Sequence, residues 1–320
     1  MKILIYGLPK SGTSAIFSLI KSSQVEECVF LFEPDNLTLC NEINTKHLLV
    51  KTLVGQRNEA LFDQFEKKIL IIRDPRDWLI STFLYTTAIH TIFKNNGWVS
   101  ALLRLLSKKQ EDTSSISFHE LISYKVKNHS PWIDNLLLSD VVFKNYINFH
   151  KANPDYFVLK YEDFINRDLA ELEQYLGLKL TGSTNVGEEL KRVERTKSYG
   201  DWKQWFTIKD VDYYKPILKE FMDRYGYTDW ELPSNQKVSS AHGSTYVLRL
   251  VSEARKNEPS SFTKKTGIIS FFDINFDWIS YLLNNPSLIS EGIYTKWGAI
   301  IHWILSRCLK GRSSYRNNII

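Results

Sequence analysis

Residues 2–14 read KILIYGLPKSGTS, and residues 69–77 read ILIIRDPRD. Each segment begins as a short run that is apolar on both faces, the composition of a strand buried in a parallel sheet. Each then leaves the run through a turn into helical spacing. In Gly7-Leu8-Pro9-Lys10-Ser11-Gly12-Thr13-Ser14, two glycines stand five apart, with a lysine between them and hydroxyls where the next helix begins. This is the make-up of an anion cradle, in which free backbone N–H groups and the positive end of a helix dipole face a phosphate. The second segment ends its strand in Arg73, with Asp74 as an N-cap and Pro75 as the first helical residue, which fixes the helix that carries Ser81. Arg73 and Ser81 can then converge on a second phosphate. The plainer alternative for Arg73 is an ion pair with Asp77 or Glu162.

Similar apolar runs occur at residues 29–32, 47–50 and 156–160, joining those at 2–6 and 69–72. Helical spacing appears over 14–21, 75–85, 133–150 and 169–176. The alternation predicts an α/β fold: a P-loop-like parallel sheet flanked by helices, followed by a small, mostly helical C-terminal segment. A polar stretch from Pro233 to Pro259 marks a boundary. The expected organisation is a first domain over 1–232, a linker over 233–262 and a C-terminal helical module over 263–320. In open parallel sheets ligands sit outside the carboxyl ends of the strands, so the residues that come after the five runs are the candidates for chemistry.

Composition narrows the classes. The 320 residues are 43% hydrophobic and 24% charged, ordinary globular values that exclude a disordered or fibrous chain. Cys28, Cys40 and Cys308, with no CxxC pair, give neither a disulfide framework nor a zinc site, and a reducing, cytoplasmic setting is expected. The chain enters a strand-like run at Lys2, so no signal peptide is expected, and no apolar stretch has the length of about 18 residues that a spanning helix needs. A net charge of +5 suits an anionic ligand and falls short of a dedicated nucleic-acid binder.

The first loop approaches GxxxxGK[ST], but Thr13 stands where the P-loop lysine belongs, and the lysine is three residues earlier at Lys10. A strand that holds Mg²⁺ in such enzymes ends in aspartate, whereas the 69–72 run ends in Arg73. An anion, and no metal, is therefore expected there, which disfavours the alternative of a P-loop kinase acting on a small metabolite.

Pro9-Lys10-Ser11-Gly12-Thr13-Ser14 resembles the PKSGTT loop of the sulfotransferases that use 3′-phosphoadenosine 5′-phosphosulfate (PAPS), and Arg73-Asp74-Pro75-Arg76-Asp77 with Ser81 resembles their RNPRDxxxS segment. Tyr161-Glu162-Asp163 is similar to the family's YED, and residues 195–203 (RTKSYGDWK) are similar to its RKGxxGDWK loop. The four motifs stand in order with compatible spacing over about residues 1–232. The resemblance implies that Lys10, Ser11, Gly12, Thr13 and Ser14 hold the 5′-phosphosulfate, while Arg73, Ser81 and Arg195 hold the 3′-phosphate. It also implies that Tyr161 lies near the adenine, that Lys197 stands where the family has glycine, and that the product is adenosine 3′,5′-bisphosphate. The aromatic residue that often comes after the Thr-Thr pair is Ala15 here.

Sulfuryl transfer is an in-line displacement that rests on positioning and charge stabilisation. Lys10 is placed to stabilise the leaving bisphosphate. The cytosolic small-molecule branch takes the acceptor proton with the histidine of a KTH segment, but here Lys51-Thr52 is succeeded by Leu53. Branches that act on carbohydrates often use glutamate, and Glu33 at the end of the second run is the expected base. Lys51 is expected either to assist Lys10 or to form a surface pair. His47 begins a run and should lie at the wrong edge of the sheet. His90, His119, His129, His150, His242 and His302 lack ligand spacing, and Cys28 reads as a small hydrophobe. Trp78, Phe83, Tyr85 and Trp98 suit either core packing or an acceptor cleft. Leu53 also leaves open a non-catalytic scaffold that binds a nucleotide or a glycan.

Residues 276–286 (FDWISYLLNNP), with Gly292-Ile293, His302-Trp303 and Gly311-Arg312, resemble a short module FDxxYYLxxNPDL…GI…HW…GR found on bacterial enzymes that build surface polysaccharides. Ser280 and Ser287 replace its tyrosine and aspartate. The resemblance implies a saccharide acceptor. The same segment also reads as an amphipathic basic hairpin for peripheral membrane contact: Trp297, Ile300, Ile301, Ile304 and Leu305 lie near Lys296, Arg307, Lys310 and Arg312, and there is no acidic residue after Glu291. A helical cap on the main domain is the plain alternative.

Overall fold

Five short apolar segments pair into one all-parallel sheet in the order β2-β3-β1-β4-β5. The strands are β1 (Lys2–Gly7), β2 (Val29–Phe32), β3 (Leu48–Leu53), β4 (Lys67–Ile72) and β5 (Phe157–Lys160). The computed structural model describes residues 1–24, 26–34, 45–54, 59–88, 94–129, 137–186, 195–256, 276–303 and 305–306. Cys40, His90, Ile304, Arg307, Cys308, Lys310, Gly311 and Arg312 lie outside the described residues. So do the side chain of His129, the start of the helix expected over 133–150, and residues 257–275 of the expected linker and module.

β1 alternates its side chains between two faces, as a strand must. Ile3 and Ile5 join Leu49, Ile69, Ile71 and Leu159 in a core covered by Ile16, Leu19 and Ile20 of the Thr13–Ser23 helix and by Leu172 and Leu176 of the Ala170–Leu176 helix. On the other face the Tyr6 ring meets Phe62 at 5.1 Å and Phe149 at 4.6 Å between centroids. Both faces are covered, which explains why the strands read as unbroken apolar runs.

The register aligns the carboxyl ends at one edge: Gly7 pairs with Leu53 and Ile71, Phe32 with Lys51, and Ile72 with Lys160. The chain leaves β1 toward β2 and β3 on one side, then returns to β4 on the other, so the connections part at the end of β1, where ligands of open sheets bind.

The chain divides into two compact units, one of Met1–Thr82, Trp132–Lys203 and Ile208–Glu231, the other of Phe83–Pro131, Gln204–Thr207 and Leu232–Ile320. The first contains the sheet. The second is helical, with Leu102, Leu103 and Leu106 of the Asn96–Glu111 helix, Val247, Leu250 and Val251 of the Ser244–Lys256 helix and Ile279 and Leu282 of the Trp278–Asn284 helix all buried. Inside the polar stretch, Tyr246 through Leu248, together with Leu250 and Val251, form an apolar stripe that drives formation of the Ser244–Lys256 helix. Among the described residues no helix is long and apolar enough to cross a membrane.

The motif residues of the C-terminal segment that are described cluster together. The Phe276 ring lies 5.2 Å from Tyr281 and 5.4 Å from Trp303, and the Tyr281 hydroxyl is 2.8 Å from His302 Nδ1. Asp277 caps the Trp278–Asn284 helix by accepting from the Ser280 amide, and Ser280 Oγ also lies 3.1 Å from Ser252 Oγ. Serine thus fills a position that packs against a neighbouring helix.

Candidate functional site

The turn after β1 closes on itself. Ser11 donates both its amide and its hydroxyl to the Leu8 carbonyl, at 3.2 and 2.6 Å. Lys10 and Gly12 have left-handed backbones, with φ of 68° and 93°. Gly12 is doubly required, because a Cβ there would stand 2.5 Å from Cδ2 of Tyr161. Gly12 caps the Thr13–Ser23 helix, and its carbonyl accepts the first intrahelical bonds from Ala15 and Ile16. The amides of Thr13 and Ser14 belong to the first turn, whose N–H groups have no intrahelical acceptor and carry the positive end of the dipole.

Arg73, one residue past β4, closes the cradle from the adjacent strand. Its Nη1 donates to the Lys10 carbonyl at 3.0 Å, its Nη2 reaches the Ser198 carbonyl at 3.4 Å, and its guanidinium lies 4.4 Å from the centre of the Tyr161 ring. Among the described residues its Nε is buried without a hydrogen-bond partner. Tyr161 therefore supports both the glycine turn and the arginine. Burial pushes the Tyr161 hydroxyl up, against the pull of Arg73 and Arg195. Ser81 is buried two turns along the Pro75–Tyr85 helix.

The four charges of residues 73–77 turn different ways. Asp74 caps its helix as expected: its Oδ1 accepts from the Arg76 amide at 2.9 Å, and both of its oxygens accept from the Arg76 guanidinium, at 2.9 and 2.6 Å. Arg76 lies 3.7 Å over the Trp202 ring and 4.8 Å from that of Trp230. Asp77, read from the sequence only as a possible ion-pair partner of Arg73, is fully buried and accepts from the Gly200 amide at 2.5 Å and the Trp202 amide at 2.9 Å. Burial pushes its carboxyl up to about 6, opposed by Arg73 and reinforced by Asp74. Glu162 is not paired with Arg73; it accepts from the Asp74 amide at 2.9 Å and from the Tyr227 hydroxyl at 2.8 Å, and burial pushes it up.

Asp77 thereby fastens the loop that carries the remaining candidates. Arg195 Nη2 lies 2.9 Å from Asp201 Oδ2. Lys197 is exposed and left-handed, with φ of 50°.

At the other side of β1, Lys51 lies inside β3 rather than after it, because the strand continues to Leu53. Lys51 is only 2% exposed and pairs with Oε1 of Glu33, which is 32% exposed, so the surface pair considered from the sequence is half buried. The Lys51 ammonium also lies 4.3 Å from the centre of the Phe32 ring. Burial pulls the ammonium down and Glu33 partly restores it. Glu33 stands just past β2 with φ of 48°, and its amide donates to the Lys51 carbonyl at 2.8 Å. His47 precedes β3, beside the N-terminal amine, at the edge opposite the cradle. Trp78, Phe83 and Trp98 are core residues, and Trp78 Nε1 also donates to the Pro9 carbonyl at 2.7 Å. Cys28 is half-buried, and burial raises its thiol.

No protein-family model and no curated protein matches the chain. Among solved structures it is similar to the mouse sulfotransferase SULT7A1 complexed with PAP, with 18% identity over 69% of this chain and 84% of that one and a TM-score of 0.43.

Proposed function

We infer that the chain is a sulfotransferase that moves a sulfuryl group from PAPS to a hydroxyl of a saccharide. The observation that carries the reading is the meeting of the Gly7–Ser14 turn with Arg73. Two left-handed residues, a helix N-terminus and a buried guanidinium with an unsatisfied Nε converge where a magnesium-binding chain would place aspartate. Such an arrangement fits a ligand bearing two separated anionic groups.

In this reading the amides of Gly12, Thr13 and Ser14 and the Lys10 ammonium hold the 5′-phosphosulfate, in a turn that Ser11 braces. Arg73, Ser81, Arg195 and Lys197 hold the 3′-phosphate, and Tyr161 lies beside the adenine. When bound, PAPS supplies the activated sulfuryl group and departs as adenosine 3′,5′-bisphosphate. Lys10 sets positive charge against the leaving oxygen. Glu33 takes the proton of the acceptor hydroxyl on its carboxylate, while Lys51 fixes Oε1 and orients the group. The glutamate at this strand end and the polysaccharide-type pattern of residues 276–303 together support a saccharide acceptor.

Two measurements test this. Adenosine 3′,5′-bisphosphate should raise the melting temperature without added metal, a stabilisation of about 2.7 kcal/mol at one hundred times its Kd. Arg73→Ala should remove most of that rise. With radiolabelled PAPS and a panel of phenols, lipids and polysaccharides, label should pass to a polysaccharide, and Glu33→Gln should abolish transfer while leaving bisphosphate binding intact. Stabilisation by Mg²⁺-ATP with turnover, and none by the bisphosphate, would overturn the reading in favour of a kinase.

A further inference from the structure

Lys10 keeps a left-handed backbone, with φ of 68°, that residues other than glycine seldom adopt. Such a conformation persists only where the surroundings hold it in place. Here the two peptide planes that flank Lys10 are both held by their carbonyls. The Lys10 carbonyl accepts from Arg73 Nη1 at 3.0 Å, and the Pro9 carbonyl accepts from Trp78 Nε1 at 2.7 Å. In a trans peptide the C=O and the next N–H point in opposite directions, so drawing the Pro9 oxygen toward Trp78 turns the Lys10 amide away from it.

The indole is a fixed donor. Its residue stands in the first turn of the Pro75–Tyr85 helix, where the Trp78 amide donates to the Asp74 carbonyl at 2.9 Å. The Trp78 ring is buried and meets Phe143 edge-on at 5.4 Å between centroids, and Phe143 in turn meets Phe221 at 5.1 Å. A ring packed in this way has little freedom to turn. Core packing alone would ask only that the buried indole N–H find an acceptor. The acceptor it has is the carbonyl whose peptide plane sets φ of Lys10.

We propose that Trp78 is a positioning residue for sulfuryl transfer: through the Pro9 carbonyl it holds Lys10 in the left-handed state from which the ammonium meets the 5′-phosphosulfate. The inference rests on the sulfotransferase reading for its ligand. Its geometry rests on the turn alone, so Trp78 bears on any phosphate that enters there.

The test is a double-mutant cycle of Trp78→Phe and Lys10→Met on the full chain, read by titration with adenosine 3′,5′-bisphosphate, adenosine 5′-monophosphate and adenosine 3′-monophosphate. Trp78→Phe keeps an aromatic ring beside Phe143 and removes the N–H. It should weaken both ligands that carry a 5′-phosphate by about fivefold, the worth of one hydrogen bond, and leave the 3′-monophosphate within about twofold. In the Lys10→Met background the same substitution should change each affinity by less than about twofold, because the ammonium that Trp78 positions is gone. Benzothienylalanine in place of Trp78 puts sulfur where the indole N–H stands in a ring of matched shape, and it should reproduce the loss with the core still filled. Equal weakening of every nucleotide, a loss that persists undiminished in the Lys10→Met background, or no loss with either replacement would overturn the proposal. A parent protein that binds Mg²⁺-ATP and not the bisphosphate would overturn the sulfotransferase reading by itself, and the same cycle titrated with ATP would then decide the role of Trp78. Binding of neither would overturn both.

Discussion

Replacing Asp77 with asparagine tests how the loop of residues 195–203 is held. In the wild-type protein one buried carboxylate accepts from two amides, those of Gly200 and Trp202, which lie 123 and 125 residues away in sequence. Burial raises its carboxyl from an ordinary 3.8 to about 6. A carboxyl raised in the folded state holds its proton more tightly there than in the unfolded chain, so its contribution to stability is full below 3.8 and is lost as pH rises through about 6. At 1.36 kcal/mol per pH unit the limit is about 3 kcal/mol; the linkage relation gives about 2 kcal/mol at pH 4, about 1 at pH 5 and nearly nothing at pH 7. Asparagine cannot titrate. It keeps one oxygen acceptor and turns its amide against the other N–H, at a cost of about 1–3 kcal/mol that does not vary with pH. Urea unfolding of both proteins between pH 4 and pH 8 gives the difference in stability directly, with all other titrating groups cancelled. The wild type should gain on the variant by about 2 kcal/mol from pH 7 to pH 4. A difference that stays flat across that range, or that grows toward alkaline pH, would refute a buried carboxylate as the clamp.

Gly12→Ala should cost about 1–3 kcal/mol, measured by thermal melting, because a left-handed backbone and the Tyr161 ring both oppose a Cβ. Gly12→Ala with Tyr161→Ala should recover only part of this, since the backbone strain remains. Arg76→Ala strands the buried Asp74 carboxylate and should cost about 3–5 kcal/mol in denaturant unfolding. Arg76→Lys should recover little, because lysine can neither fork onto Asp74 nor lie flat on Trp202. Lys51→Met should change stability by no more than about 2 kcal/mol, because water can reach the partly exposed Glu33, yet sulfuryl transfer in the radiolabel assay should fall by about 10-fold or more.

The sheet is legible in the sequence because strands covered on both faces have to be apolar throughout, and β2 runs over the residues that its apolar run marks. The Pro75–Tyr85 helix is legible for a different reason: Asp74 and Pro75 are cap and first-turn residues whose chemistry fixes a boundary. β3 reads short because Lys51 looks like the end of an apolar run. Its counter-charge, Glu33, comes from the neighbouring strand and leaves no mark near residue 51. The Ser244–Lys256 helix is hidden because its apolar stripe is set in polar flanks and rich in residues with modest helical preference, so burial rather than local propensity forms it. The role of Asp77 is hidden for the deepest reason. Its partners are backbone amides, which every residue but proline possesses, and a sequence cannot say which distant amide a carboxylate will meet.

The pentapeptide Arg73-Asp74-Pro75-Arg76-Asp77 acquires its anion-binding character only on folding. Read as letters it is two cations and two anions with no net charge, a poor description of an anion site. Folded, it separates them. Asp74 and Arg76 neutralise each other in a buried fork, and Arg76 lays its flat face on Trp202. Asp77 is answered through space by Arg73 and then by the backbone N–H groups of Gly200 and Trp202, which take both of its oxygens. Arg73 alone is bonded only to carbonyl oxygens, neither of which can take its charge, and it retains a buried N–H with no partner among the described residues. An arginine in that condition is more stable with an anion beside it than without one, since a buried donor left unsatisfied costs about 1–3 kcal/mol. Asp77 bears on the same arginine: protonation of its carboxyl removes a negative charge that acts on Arg73 through space, so a drop in pH through about 6 strengthens the positive field at the cradle.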